Sequence, residues 1–329
     1  MQPVKPVTFA GETRMNETHT IAALYKFVAL EDFEAMRSPL LARCQKHGVC
    51  GSLLLAKEGI NGTIAGPRQG VEAVLAYLKS DTRLADLPAK FSTCDFPPFR
   101  KMKVRLKQEI VRLGVDGIDP TCAVGEYIDP EDWNALITDP EVTLIDTRND
   151  YEIAVGTFKG AVNPQTRDFR SFPEYVASQL DPKRDKKIAM YCTGGIRCEK
   201  ATSYLLAQGF EHVYHLSGGI LNYLAKVPPQ QSLWEGECYV FDDRVSINHD
   251  MQPGTWINCV GCGQPIHQSR TRDPKYVEGV CCPLCHDEMP AHKRNRLQER
   301  HRLVVAAKAK LGENLHPKAS GLRLISGEP

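Results

Sequence analysis

The stretch KIAMYCTGGIRCEKATSYLLAQGF, residues 187–210, decides how this chain is read. KIAMYC is a short apolar run of the kind expected for a buried parallel strand. The run ends on Cys192, passes through Thr193, Gly194, Gly195 and Ile196 to Arg197, and then turns helical, with Ala201, Tyr204 and Leu205 in period and Gly209 as the stop signal. A tight loop that opens a helix gathers backbone N–H groups into a cradle for negative charge. A cysteine at the start of that cradle is favoured as thiolate, so its pKa should fall. The two glycines permit the close backbone approach, and Arg197 is expected to add a fixed cation. The loop predicts a nucleophilic Cys192 beside an anion pocket.

Cys-x-x-x-x-Arg resembles the active-site loop of the rhodanese family, and other segments carry the same resemblance. LIDTRNDYEIAVGTFKGAVN at 144–163 is similar to a second rhodanese signature, with Asp146 and Arg148 after a strand, then Tyr151-Glu152, then Gly160-Ala161. Gly218-Gly219 after VYHLS also matches. Related phosphatase loops are one residue longer, which argues for sulfur-sized chemistry here. Cys198, next to Arg197, is expected either to resolve an oxidised or persulfidated Cys192 or to pack as a buried thiol. Asp146 and Arg148 read as a structural ion pair.

Outward from this loop, residues 121–230 alternate strands and helices, as a rhodanese-like α/β domain requires. VTLID at 142–146 and VYHL at 213–216 are further strands. Upstream, the pattern over 19–113 predicts β-α-β-β-α-β, the order of a ferredoxin-like domain. Its strands fall at 21–29, 50–56, 62–65, 91–94 and 102–113, with helices at 31–46 and 70–79 and a turn at EGING, 58–62. GVDGIDP at 114–120 reads as a linker. Residues 1–18 read as a disordered leader in which Met15 could be the start, and 312–329 as a tail. The fold class is therefore α/β and α+β multidomain.

Residues 232–311 form the third part, with a hairpin around 238–247 and a charged helix near 291–311. Twelve cysteines occur in the chain, five of them within 259–285. Cys259-x-x-Cys262 and Cys282-x-x-Cys285 have the spacing of a four-cysteine structural zinc knuckle. Cys281, His267 and His286 stand close enough in sequence to substitute as ligands. Reduced, unliganded thiols or two disulfides are the alternatives.

Composition sets outer limits. Charged residues are 25%, hydrophobic ones 42%, and the net charge is +1, so a nucleic-acid partner would have to be met by a local basic surface. The longest apolar runs are too short to cross a bilayer, and no export signal is readable, which predicts a reducing cytoplasm. FRKMKVRLK at 99–107 places Arg100, Lys101, Lys103, Arg105 and Lys107 in one short segment as candidate RNA contacts. On a strand, Lys101, Lys103, Arg105 and Lys107 would share a face. HKRNRLQERHRLVVAAKAK at 292–310 is a second basic segment.

The combination of KEGINGTIAG at 57–66, FRKMKVRLKQEIVRLG at 99–114, CTGGIRCEKA and the cysteine cluster resembles the bacterial tRNA uridine(34) hydroxylase family. The resemblance spans about 21–310. It implies an acylphosphatase-like N-terminal domain and tRNA as the partner. It also implies O2 as co-substrate, an electron donor not identified here, and a persulfide-type cysteine at Cys192. No flavin, NAD or haem motif is found, and the sequence leaves the oligomeric state open. A rhodanese sulfurtransferase is the alternative activity. An RNA- or protein-binding module that only senses persulfide is the alternative without catalysis; intact Cys192 and Arg197 weigh against it.

Overall fold

A computed structural model describes residues 18–311. The expected leader, with Met15, lies outside the described residues except for Thr18, and so does the expected tail.

The N-terminal unit runs β1 (His19–Phe27), α1 (Phe33–Lys46), β2 (Cys50–Ala56), β3 (Gly59–Gly66), α2 (Arg68–Lys79), β4 (Ala89–Cys94) and β5 (Met102–Leu106). Its sheet has the order β4-β1-β3-β2-β5, with β5 parallel to β2. Alternation along the strands gives the sheet two unlike faces. Ala22 and Leu24 of β1, with Leu53 and Leu55 of β2, pack against Leu40 of α1 and Val71, Val74 and Leu78 of α2. Each of the buried Leu and Val side chains among these contributes about 1.5–3 kcal/mol. No helix of this unit covers the opposite face, which carries Ala23, Tyr25, Ser52 and Leu54. Two details differ from expectation. β3 begins at Gly59, because the turn occupies Lys57 and Glu58 alone, and β5 stops at Leu106.

β6 (Glu126–Ile128), α3 (Pro130–Ile137), β7 (Val142–Asp146), α4 (Asp150–Ile153), β8 (Gly156–Phe158), α5 (Phe172–Gln179), β9 (Lys187–Tyr191), α6 (Ile196–Ala207), β10 (His212–Leu216) and α7 (Gly219–Lys226) follow. Their parallel sheet has the order β6-β10-β9-β7, which puts the C-terminal end of β9 at the centre of one edge. Ligands gather at such strand ends in α/β sheets. The segment expected as a linker is packed: Leu113 is buried in this core, with Val115 and Ile118 against it. Its apolar residues, spaced among Gly and Asp, read as loop in sequence yet had a core within reach.

β11 (Trp234–Gly236) pairs with β8, and β12 (Cys238–Tyr239) with β13 (Ser246–Ile247). Trp234, Cys238, Val240 and Ile247 fill the same core as Trp133 and Tyr223. The start of the expected third region thus belongs physically to the second. β14 (Trp256–Asn258), β15 (Pro265–His267) and α8 (Ala291–Leu311) complete the described chain, with Leu297 of α8 packed on Val280, Cys281 and Met289.

The first two units are locked together by an ion cluster. Lys200 of α6, 2% exposed, pairs with Glu58 at 2.8 Å and Glu109 at 2.5 Å. Glu58 also accepts from the Ile110 amide, and Glu109 from those of Leu113 and Gly114. Among the described residues no helix is long and apolar enough to cross a membrane.

Candidate active site

β9 delivers Cys192 to the floor of a cavity of about 1080 Å³. One wall is the uncovered face of the N-terminal sheet, a second is the segment 106–112, and a third is the turn 240–244. The loop Cys192–Arg197 bends because Gly195 takes φ +105°, where a Cβ would meet the Tyr25 hydroxyl at 2.7 Å. Gly219, at φ +67°, lets α7 approach from behind: a Cβ there would meet the Cys192 carbonyl oxygen at 2.5 Å. The amides of Ile220 and Leu221 then donate to the carbonyls of Cys192 and Thr193 at 3.0 and 3.1 Å. With its carbonyls held from behind, the loop turns amides toward the sulfur. The Gly195 N–H donates to Cys192 Sγ at 3.1 Å.

Burial opposes ionisation of Cys192. The hydrogen bond from the Cys198 thiol, the charge of Arg197 and the amides of Cys198 and Gly195 outweigh it and bring the thiol down to about 5. Cys198 moves the other way, because burial and the neighbouring Cys192 hold it well above the ordinary thiol range. Cys198 is fully buried, 3.6 Å from the Thr147 hydroxyl, and acts as a donor to Cys192.

Arg197 stands beside Cys192 with a partner of its own. Its guanidinium grips Glu152 with two bonds, of 2.6 and 2.8 Å, both partners buried. Two buried charges of opposite sign satisfy each other, and the buried Glu152 would otherwise be unpaired. Asp146 and Arg148 form a second buried pair at 2.6 Å, away from the cavity lining. Thr193, Gly194 and Ile196 line the cavity with Cys192 and Arg197.

Several site residues come from outside the loop. Lys90 of β4 donates to the Gly194 carbonyl at 2.6 Å, with its ammonium 5.4 Å from the Tyr25 ring centre. Tyr25 donates to Glu199 at 2.7 Å. Burial raises the Glu199 carboxyl, although hydrogen bonds from Tyr25 and Tyr127 oppose the shift. Phe91 and Phe241 line the cavity yet are 55% and 59% exposed. Arg244 ties the third wall to the first through Ser92 at 2.9 Å. Apart from Glu199, which follows the loop on α6, local sequence reading misses these, because packing of the N-terminal sheet and of the 240–244 turn against the loop brings them there from distant parts of the chain.

The basic stripe is on the cavity's rim. Lys103 and Arg105 stand opposite Ser52 and Leu54 in register, so they share the uncovered face, and Lys107 lines the cavity. Lys101 is exposed just before β5. Arg100 is 3.6 Å from Asp243.

The four knuckle cysteines do converge. The sulfurs of Cys259, Cys262, Cys282 and Cys285 all lie within 4.8 Å of one another. Separations of 3.8 Å (Cys259–Cys285), 3.8 Å (Cys262–Cys282) and 3.9 Å (Cys282–Cys285) are far from a disulfide bond. This set could hold a metal ion. The substitutes are engaged elsewhere: Cys281 accepts from Arg294, and His267 and His286 bond to Ser269 and Asp287.

Comparison with known proteins agrees with this division. Residues 19–110 match the UPF0176 acylphosphatase like domain, and residues 129–226 match the Rhodanese-like domain. The chain has the architecture of the UPF0176 family. Among solved structures, the Rhodanese-like domain from an Anabaena sp. protein is 27% identical over 33% of this chain and 78% of its own, with a TM-score of 0.27. A Rhodanese-like domain protein from Staphylococcus aureus is 24% identical over 30% and 90%, at 0.26. A protein of unknown function from Rhodopseudomonas palustris CGA009 is 24% identical over 32% and 83%, at 0.28. The rhodanese-like domain supports a cysteine-based role.

Proposed function

We propose that this protein modifies tRNA, hydroxylating C5 of the wobble uridine at position 34, with Cys192 as the reactive, persulfide-type cysteine. The observation that carries the reading is the cavity above the thiolate. Its volume of about 1080 Å³ exceeds what a small sulfur donor needs and suits a nucleotide. The exposed rings of Phe91 and Phe241 offer stacking faces for an unpaired base, and Lys103, Arg105 and Lys107 lie where phosphates would follow. Position 34 lies in a single-stranded loop, so swinging its base out costs little.

Hydroxylation by O2 places one oxygen atom on the base and releases the other as water, consuming two electrons and two protons from a donor. The chain's own residues would hold the thiolate, seat the base and exclude water. The four-cysteine set is proposed to hold zinc. A tetrahedral zinc thiolate has Zn–S bonds of about 2.3 Å and hence sulfurs about 3.8 Å apart, which the observed separations fit. A filled set leaves no open position, so its role would be structural.

The amide cradle supports a second reading, sulfurtransfer. The Cys192 thiolate would attack the outer sulfur of thiosulfate, releasing sulfite and keeping that sulfur as a persulfide anion on the cradle's N–H groups.

Mass spectrometry of tRNA nucleosides separates these readings. In a deletion strain carrying Cys192→Ser, 5-hydroxyuridine should fall to the level of the uncomplemented strain, while the native chain restores it. Loss of thiolated bases with 5-hydroxyuridine intact assigns sulfurtransfer instead. If neither class changes, both activities are excluded.

A further inference from the structure

Arg197 is the cation expected beside the rhodanese cysteine, but here it is held by Glu152 through both ends of its guanidinium. The Glu152 carboxylate offsets part of the charge that Arg197 presents to the Cys192 sulfur. Lys90 is arranged differently. It reaches in from β4 of the N-terminal unit, lines the same cavity as Cys192, and donates to the carbonyl of Gly194, two residues along the loop. Its other neighbour is the face of Tyr25. Among the described residues no carboxylate lies within ion-pair distance of its ammonium.

We infer that Lys90 is the positioning cation of the Cys192 site, so that the reactive centre is completed by the N-terminal unit. The inference rests on Cys192 being the reactive thiol. The uncovered sheet face thus has a second role besides walling the cavity: it brings one positive charge to a loop whose own arginine is paired. Charged and titratable groups face Cys192 from several packed elements. α6 contributes Arg197, Cys198 and Glu199, and α4 contributes Glu152. β1 and β6 contribute Tyr25 and Tyr127, both bound to Glu199, and β4 contributes Lys90. Beyond them lies the Asp146–Arg148 pair, whose guanidinium also donates to the Glu152 and Gly156 carbonyls. Burial holds the Lys90 ammonium below the ordinary lysine range, and the Cys192 thiolate and Glu199 oppose that shift in part.

The test reads Cys192 alkylation by iodoacetamide against pH, with the modified peptide followed by mass spectrometry. In the native chain, half-maximal reactivity is expected near pH 5. In Lys90→Met it should move up by about one unit or more. Lys90→Arg, which keeps the charge, should stay close to native. An unmoved midpoint in Lys90→Met overturns the inference while leaving an activated Cys192 in place. A native midpoint in the ordinary thiol range sinks the reactive-thiol reading itself, so the two failures are distinguishable. Linkage provides a measurement that does not depend on the Lys90 variants folding. Removing the thiolate in Cys192→Ser must lower the Lys90 pKa by the amount that Lys90 lowers the thiol, read by NMR of the 13C-dimethylated amine. A Lys90 titration identical in native and Cys192→Ser protein also overturns the inference.

Discussion

Two groups of cysteines in this chain use the same side chain for opposite ends. Cys192 stands on a loop where amide N–H groups, a neighbouring thiol and nearby cations face one sulfur. In the knuckle each sulfur has another sulfur 3.8–3.9 Å away. A sulfur ringed by donors is stabilised as an anion without further help and stays available for attack. Four thiolates this close repel one another, so they ionise together only if a cation sits among them, and they are then no longer free to react. Neighbours therefore decide the chemistry.

The widest test of this contrast is to remove part of the knuckle. Cys259→Ser with Cys282→Ser should reduce bound zinc, measured by plasma mass spectrometry, from about one per chain to none. Structural zinc sites carry on the order of 10 kcal/mol, so the packing of β14, β15 and α8 should be lost with it. Cys192 should keep its alkylation profile; if that profile collapses too, the two sites are not independent. A smaller effect is expected from Lys200→Met, which strands Glu58 and Glu109 without their cation behind α6. Denaturant titration should show a loss of about 2–3 kcal/mol, discounted for the partial exposure of both acids. Equal stability would show that the cluster does not tie the units together. Smallest is Cys198→Ala, which removes one donor to the thiolate. The Cys192 midpoint should rise by about one unit, with the reactive species still appearing as pH increases through it. An unmoved midpoint would leave the amides and cations as the whole cause.

What could be read from the sequence follows the range of each interaction. The β9–α6 loop, the two Cys-x-x-Cys turns and the helix faces of α1 and α2 are local and show in spacing. So does a smaller rule, visible once the structure is seen. Asp-x-Arg occurs at 81–83, 146–148, 168–170 and 242–244, and each time the aspartate accepts from the arginine's own amide and from its guanidinium. What could not be read depends on how distant parts of the chain pack against one another. Nothing near Lys90 or Tyr25 announces a thiol more than a hundred residues away, and nothing in Phe241 marks it as a cavity wall. Glu152 lay within the rhodanese signature but, without coordinates, not as the partner that neutralises Arg197. The packing of 111–118 was hidden for another reason: glycine and aspartate signal a loop, while its few apolar residues are too sparse for a period.

The cluster at Lys200 also bears on how this protein could be cut or recombined. A fragment beginning at residue 121 would carry α6 with an ammonium whose two acids stayed behind on the other piece. Anyone grafting this rhodanese loop onto a new scaffold would have to transplant Glu58 and Glu109 with it, or exchange Lys200 for an apolar residue of similar length. The place where a sequence divides most naturally is here the place where the molecule tolerates division least.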